Sequence, residues 1–183
     1  PYRMTTASNL SSSRALRDVT EKFGGEYFSA AVGEVNVTTK MKECGALIGG
    51  EGNGGVIYPA LHYGRYAMVG VALFLTNLAH KQMKVSQLLK TYPQYVITKN
   101  RIDLSDKALI DKILSEMQKI YANENVNTID GVKISFEDKK QWVHLRRSNT
   151  EPIIRIYAEA ATKEEADALA NEVIGIAQKI IGQ

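Results

Sequence analysis

The chain has 183 residues, 44% of them hydrophobic and 23% charged, and a net charge of +3. That length allows one large domain or two small ones, and the composition is that of an ordinary soluble globular protein. It excludes a bilayer-spanning apolar run, an internal disulfide (Cys44 is the lone cysteine) and the dense basic face of a nucleic-acid binder. Residues 1–93 carry +4 and residues 94–183 carry −1, so the first half has a basic excess suited to a small anionic substrate. Pro1 stands where a start methionine would, and Tyr2 already reads as strand, so a piece of a longer protein is expected. The cysteine usage fits a reducing compartment, and a cytoplasmic location is expected.

In chain order, Tyr2 to Ala7 reads as a strand. Ser11 to Ser13 open a helix with a serine cap, and Ala15, Leu16, Val19 and Phe23 form its apolar face. Gly24 and Gly25 stop it, and Tyr27 to Ala31 is a second strand. Gly33 leads into a helix with Val37 and Met41 on one side. Ala46 to Ile48 is a short buried strand running into seven residues, Gly49 to Gly55, that are mostly glycine. Val56 to Tyr58 continues in the sheet. Ala67 to Ala79 is apolar and helical, and Leu88 and Leu89 lie on a short helix. Alternating strand and helix predicts a layered α/β domain, a mixed sheet between helices.

Thr91 to Gln94, with Pro93, is the expected junction, dividing the chain into residues 1–92 and 93–183. Tyr95 to Ile102 is a strand, and Ser105 caps a helix presenting Leu109, Ile113, Met117 and Ile120. Asn123 to Asn125 reads as loop. Val132, Ile134 and Phe136 alternate with polar residues, as on a half-buried strand. Trp142 to Leu145 and Ile153 to Ala158 are strands flanking a polar loop. Thr162 and Glu165 form a capping box before a helix burying Ala166, Leu169, Ala170, Val173, Ala177 and Ile180. This predicts an α+β domain: an antiparallel sheet with helices on one face.

Two loops carry chemistry. The first is the glycine run. Gly50-x-Gly52-x-x-Gly55 has dinucleotide-loop spacing, yet an extended segment and Pro59 follow where a helix should start. No carboxylate occurs between Glu51 and Asp103 to hold a ribose. No Lys-Ser/Thr pair follows either, which excludes a Walker loop. What remains is Glu51 and Asn53 on a backbone stripped of side chains, a set that suits vicinal sugar hydroxyls. A glycine-rich turn with Glu51 in solvent fits these residues equally.

The second loop gathers Arg146, Arg147, Ser148, Asn149 and Thr150, with Arg155 one strand step on. Guanidinium forks, hydroxyls and free N–H groups suit a tetrahedral dianion. Composition alone slightly favours a plain polar hairpin loop. His62, His80 and His144 have no metal spacing, and structural roles are expected for them, with His144 near enough to orient the arginine loop.

The order Arg146-x-Ser148-x-Thr150-Glu151-Pro152-x-x-Arg155 resembles the phosphate-binding loop of the α-D-phosphohexomutases, a family of phosphoglucomutases, phosphomannomutases and phosphoglucosamine mutases. Gly49-Gly-Glu-Gly-Asn-Gly-Gly55 resembles that family's sugar-binding loop, and Val32 to Val35 and Lys40 to Lys42 resemble the same domain. The resemblance implies family domain 3 over residues 1–92, N-terminally truncated, and domain 4, with a TATA-binding-protein-like fold, over residues 93–183. It implies interconversion of hexose 6-phosphate and hexose 1-phosphate through a bisphosphate. A phosphoserine and a Mg²⁺ ion would lie in missing N-terminal domains, so this chain alone would be inactive and bind no metal itself.

By the same resemblance, Glu51, Gly52, Asn53 and, more weakly, Glu34 contact the sugar, while Arg146, Ser148, Asn149, Thr150 and Arg155 hold the distal phosphate. The glycine-rich variant looks like the branch associated with phosphoglucosamine, with phosphoglucose and phosphomannose as other candidates. A non-catalytic sugar-phosphate-binding or assembly module is the rival reading. Gly55 stands where many members have His, and Tyr66 where the family has Asp. Thr6 to Asn9 resembles the start of the catalytic serine loop but lacks its His and Pro, so Ser8 reads as a strand-end residue. Asp130-Gly131 reads as a turn rather than a metal loop.

Overall fold

The computed structural model describes residues 4–104, 106–148 and 150–182. Its chain forms two compact units, Pro1–Gln94 and Tyr95–Gln183.

The first unit contains β1 (Thr5–Asn9), α1 (Ala15–Lys22), β2 (Glu26–Ala30), α2 (Glu34–Cys44), β3 (Ile48–Glu51), β4 (Gly55–Tyr58), β5 (His62–Arg65), α3 (Ala67–Lys81) and α4 (Val85–Leu89). The sheet order is β2-β1-β3-β4-β5, parallel across β2-β1-β3 and antiparallel beyond. Successive residues of β1 serve opposite faces. Thr6 bonds Thr20 of α1 through their hydroxyls, while Ala7 packs with Val37 and Met41 of α2. The mixed sheet thus lies between helices. Gly70 of α3 approaches Val56, which pairs with Gly50 on the α1 side.

Several expectations need correction here. Phe23 is 68% exposed rather than on the buried face of α1. The cap of α1 is Arg14 without a side-chain bond, and Ser13 Oγ accepts from Ala15 N instead. The strand β5 is missing from the sequence reading because four residues with a central glycine carry no alternating pattern. The helix α3 is apolar on every side, yet only Val69 is buried, and Met68, Val71, Phe74 and Leu75 are exposed.

The second unit contains β6 (Val96–Asp103), α5 (Lys107–Ile120), β7 (Asn125–Asn127), β8 (Val132–Phe136), β9 (Gln141–Arg147), β10 (Ile153–Ala160) and α6 (Lys163–Ile181). All pairings are antiparallel, in the order β6-β10-β9-β8-β7. One face of the sheet presents Ile134, Val143, Leu145, Ile154 and Ile156 to Ile113 and Met117 of α5 and Ala170 and Val173 of α6. All six apolar residues expected on α6 are buried, and Thr162 Oγ1 accepts from Glu165 N at 3.2 Å. Segment 125–127, read in part as loop, is a short edge strand. Ile120, expected on the buried side of α5, is 52% exposed. Ser105 lies outside the described residues, and Asp106 caps α5 by accepting from Ala108 N at 2.8 Å.

Candidate functional site

In the first unit, β1 lies between β2 and β3, with α1 and α2 on opposite faces, so a crevice opens at the carboxyl ends of these parallel strands. Asn9 ends β1 and Glu51 ends β3. Glu51 is not in solvent: its side chain is 7% exposed. Its Oε1 accepts from Asn9 Nδ2 at 2.8 Å and from Gly33 N at 3.2 Å. Asn9 Oδ1 in turn accepts from Ser11 N at 3.1 Å and Ser12 Oγ at 2.9 Å, and Ser12 Oγ accepts from Gly52 N at 2.8 Å. The glycine loop is therefore a braced structure. Gly50 is required by contact: a Cβ there would lie 2.0 Å from the carbonyl oxygen of Gly55 across the hairpin.

Glu51 Oε2 lies 3.9 Å from Arg65 Nη1, and Arg65 Nε donates to Glu34 Oε2 at 2.7 Å. The backbone N–H of Arg65 bonds Glu34 Oε1 at 3.0 Å, and this, followed by the Arg65 guanidinium, holds the Glu34 carboxyl below its ordinary range. Arg65 thus stands between two carboxylates. Its stem also accounts for Gly55, where a Cβ would meet Arg65 Cδ at 2.5 Å. Tyr66 packs its ring on His62 at 5.3 Å. Asn53 is exposed, and its Oδ1 accepts from Gly55 N at 3.3 Å. With Oε1 used internally, Glu51 offers Oε2 to a ligand hydroxyl, and Asn53 offers its amide at the surface.

The sequence reading missed Asn9, Ser12 and Arg65. Nothing local in the sequence links Asn9 to the glycine loop, which only the pairing of β1 with β3 brings beside it.

Because Oε1 is engaged by two N–H donors, Glu51→Gln places the new amide group at the Oε2 position, against Arg65. We expect the unit to lose about 1–2 kcal/mol in thermal or urea unfolding, a larger loss than an exposed position would give. An unchanged unfolding midpoint would contradict the bracing described above.

In the second unit, strand alternation separates the two adjacent arginines. Arg147 faces the helices and pairs with Asp111 of α5. Arg146 faces the other way, with its side chain 14% exposed and Nε 3.4 Å from Asp130 Oδ2. His144 is buried, and its Nε2–H donates to the Asp130 carbonyl at 2.6 Å. The Asp130-Gly131 turn is therefore a support for Arg146. Gly131 has φ +79°, and a Cβ there would lie 2.2 Å from the Leu145 carbonyl oxygen. The loop between β9 and β10 is closed by Ser148 N donating to Ile153 O at 3.0 Å. Ser148 Oγ, 3.4 Å from both Thr150 N and Thr150 Oγ1, organises the turn. Arg155 lies opposite Arg146 in register, with Nη2 3.6 Å from Glu151 Oε2. Asn149 lies outside the described residues. Among the described residues, no three His, Cys, Asp or Glu side chains cluster as a metal ion would need. Among the described residues, no helix is long and apolar enough to cross a membrane.

A mixed-sheet unit with a braced glycine loop and an antiparallel unit with an arginine loop together define a recognisable class. Residues 2–95 match the model for the phosphoglucomutase/phosphomannomutase alpha/beta/alpha domain III, and residues 101–176 match that for the phosphoglucomutase/phosphomannomutase C-terminal domain. The chain is 35% identical over 166 residues to a phosphoglucosamine/phosphogalactosamine mutase of Sulfurisphaera tokodaii, covering 90% of this chain and 36% of that protein. It is 34% identical over 161 residues to a phosphoglucomutase/phosphomannomutase of Thermococcus kodakarensis, covering 87% and 34%. A crystal structure of a phosphoglucomutase/phosphomannomutase family protein from Burkholderia thailandensis superposes with a TM-score of 0.78 at 25% identity, covering 97% of this chain and 38% of that one. The chain belongs to the phosphoglucomutase/phosphomannomutase family, and it spans little more than a third of the length of these relatives.

Proposed function

We propose that this chain is the sugar- and phosphate-recognition part of a phosphohexomutase, one that interconverts hexose 6-phosphate and hexose 1-phosphate through a bisphosphate. The observation that carries the reading is the braced Glu51. A nearly buried carboxylate, with one oxygen held by Asn9 and Gly33 and the other beside Arg65, is preorganised for a polar ligand rather than for solvent. Glu51, Asn53 and the Gly52 backbone meet sugar hydroxyls, with Glu34 setting the position of Arg65. Arg146, Ser148, Asn149, Thr150 and Arg155 hold the phosphate that is not reacting. The chain covers domains III and IV in order, and its relatives are named as phosphoglucosamine and phosphoglucose/phosphomannose mutases, which supports a phosphoglucosamine-type substrate with the other two as close alternatives.

Phosphoryl transfer also needs a nucleophile and charge neutralisation by a metal ion. The phosphoserine and the Mg²⁺ ligands of this reading belong to parts of the protein outside this chain. The test is conversion of glucosamine 6-phosphate, glucose 6-phosphate and mannose 6-phosphate, followed by phosphorus NMR. The full-length protein should convert at least one of them, and the 183-residue chain none. Turnover by the chain alone would overturn this division of roles. Binding without turnover by the full-length protein would favour the rival reading of a non-catalytic sugar-phosphate module.

A further inference from the structure

The face of the second sheet that turns away from α5 and α6 holds a row of three guanidiniums. The register places Arg155 of β10 directly opposite Arg101 of β6 on one side and Arg146 of β9 on the other. Neighbouring strands are only about 4.8 Å apart. The next rung sets Tyr157 between Lys99 and His144. Like charges directly opposite one another destabilise a sheet, so such a row calls for a compensating anion.

The protein's own carboxylates compensate weakly. Asp103 lies 3.5 Å from Arg101 Nε and Glu151 3.6 Å from Arg155 Nη2, both beyond the distance of a good charge-assisted hydrogen bond. The side chains of the Arg101–Asp103 pair are 62% and 73% exposed, and such pairs exchange readily for a better anion. Exposure rises along the row, from 14% at Arg146 through 37% at Arg155 to 62% at Arg101. An open cavity of about 490 Å³ lies over its outer end, lined by Lys99, Arg101, Glu151, Arg155 and Tyr157 among others. Lys99 Nζ sits 5.5 Å above the Tyr157 ring, which keeps the ammonium over the same cavity. Three cations line the space against one carboxylate, Glu151, whose contact with Arg155 an incoming dianion must displace.

We infer that the anion-binding surface extends past the arginine loop onto β6, where Arg101 and Lys99, sharing Arg155 with the loop, form a second subsite for a phosphomonoester dianion. The inference rests on the loop reading only through Arg155, and the two fail separately in one titration. The ¹⁵N-labelled 183-residue chain is titrated with inorganic phosphate, then with glucose 6-phosphate, against sodium chloride at matched ionic strength. The Nε–H signals of Arg101 and Arg155 report the new subsite, and the amides of Ser148 and Thr150 report the loop.

Both sets should move with either phosphate. In the Lys99→Gln/Arg101→Gln double variant the loop amides should still move, while the affinity read at Arg155 falls about fivefold. A static Arg101 Nε–H with moving loop amides overturns the inference and leaves the loop reading intact. Equal shifts in sodium chloride overturn it as mere screening. If neither set moves, both readings fall.

Discussion

The second unit should lose about 3 kcal/mol of stability between pH 6.5 and pH 4, and His144 should account for most of it. The ring sits on β9 at 1% exposure, with Nε2–H donated to the Asp130 carbonyl. Burial is the main cause that pushes its pKa down to about 4; Lys133 and Arg146 push the same way, and the Asp130 carbonyl opposes them. In the unfolded chain the same ring titrates near its ordinary 6.5. Below pH 6.5 the unfolded chain takes up a proton that the folded chain refuses, so acid favours unfolding. The contribution is whole above pH 6.5, falls as the pH drops, and is gone below about 4.

The chain offers a clean reporter for this, because its one tryptophan, Trp142, is 1% exposed in the same sheet. Urea midpoints followed by tryptophan fluorescence across this pH range should fall steeply in the parent chain. In His144→Gln, which keeps a side-chain N–H to offer the Asp130 carbonyl but cannot titrate, the fall should be much shallower. Carboxylate titrations are common to both proteins and cancel in the comparison. Identical slopes would mean that His144 takes up its proton alike in the folded and the unfolded chain.

How legible these units were depends on length and on partner distance. The six buried positions of α6 repeat at helical spacing over about four turns, so periodicity exposed them all. Strand alternation in β8 was readable for the same reason. Three- and four-residue strands such as β7 and β5 carry too few repeats to show a period, and a neighbour decides them. Ile120, 52% exposed, is the last residue of α5, where the helical repeat itself ends.

The candidate site divides similarly. Glu51, Asn53 and the arginine loop were visible as residue types in a telling order. Asn9 was not, because its partner lies 42 residues away and only the parallel pairing of β1 with β3 brings them together. The bracing decides between two readings that the residues left equal: Glu51 is nearly enclosed rather than held in solvent on a glycine-rich turn. Arg146 and Arg147 are adjacent and chemically identical. Only the sheet's two-residue period tells which of them faces the helices.

That last distinction yields the sharpest functional expectation: Arg146→Ala should remove measurable phosphate affinity, and Arg147→Ala should not. Two unit charges at 4 Å attract by only about 1 kcal/mol in water but by about 4 kcal/mol at an effective dielectric near 20. Arg146, with a 14% exposed side chain supported by Asp130, lies between these limits. A loss of about 2–3 kcal/mol, roughly 30- to 150-fold in affinity, is expected. The chain alone should bind glucose 6-phosphate near millimolar, about −4 kcal/mol, and less well as salt rises. In Arg146→Ala the titration should fall below detection.

In the full-length protein the same change should raise KM and lower kcat if, as proposed, the guanidinium both binds the substrate and fixes its position for transfer. Stability should change by less than about 1 kcal/mol, because its pairing with Asp130 is long and partly exposed. Arg147→Ala is the internal control. Its guanidinium pairs with Asp111 across the helix face, so the variant should lose a little stability and keep its affinity. Calorimetry of the chain and kinetics of the full-length protein give the two measurements. Equal losses from the two substitutions would show that the loop attracts anions by general charge alone, and an Arg146→Ala protein with its affinity intact would remove Arg146 from the site.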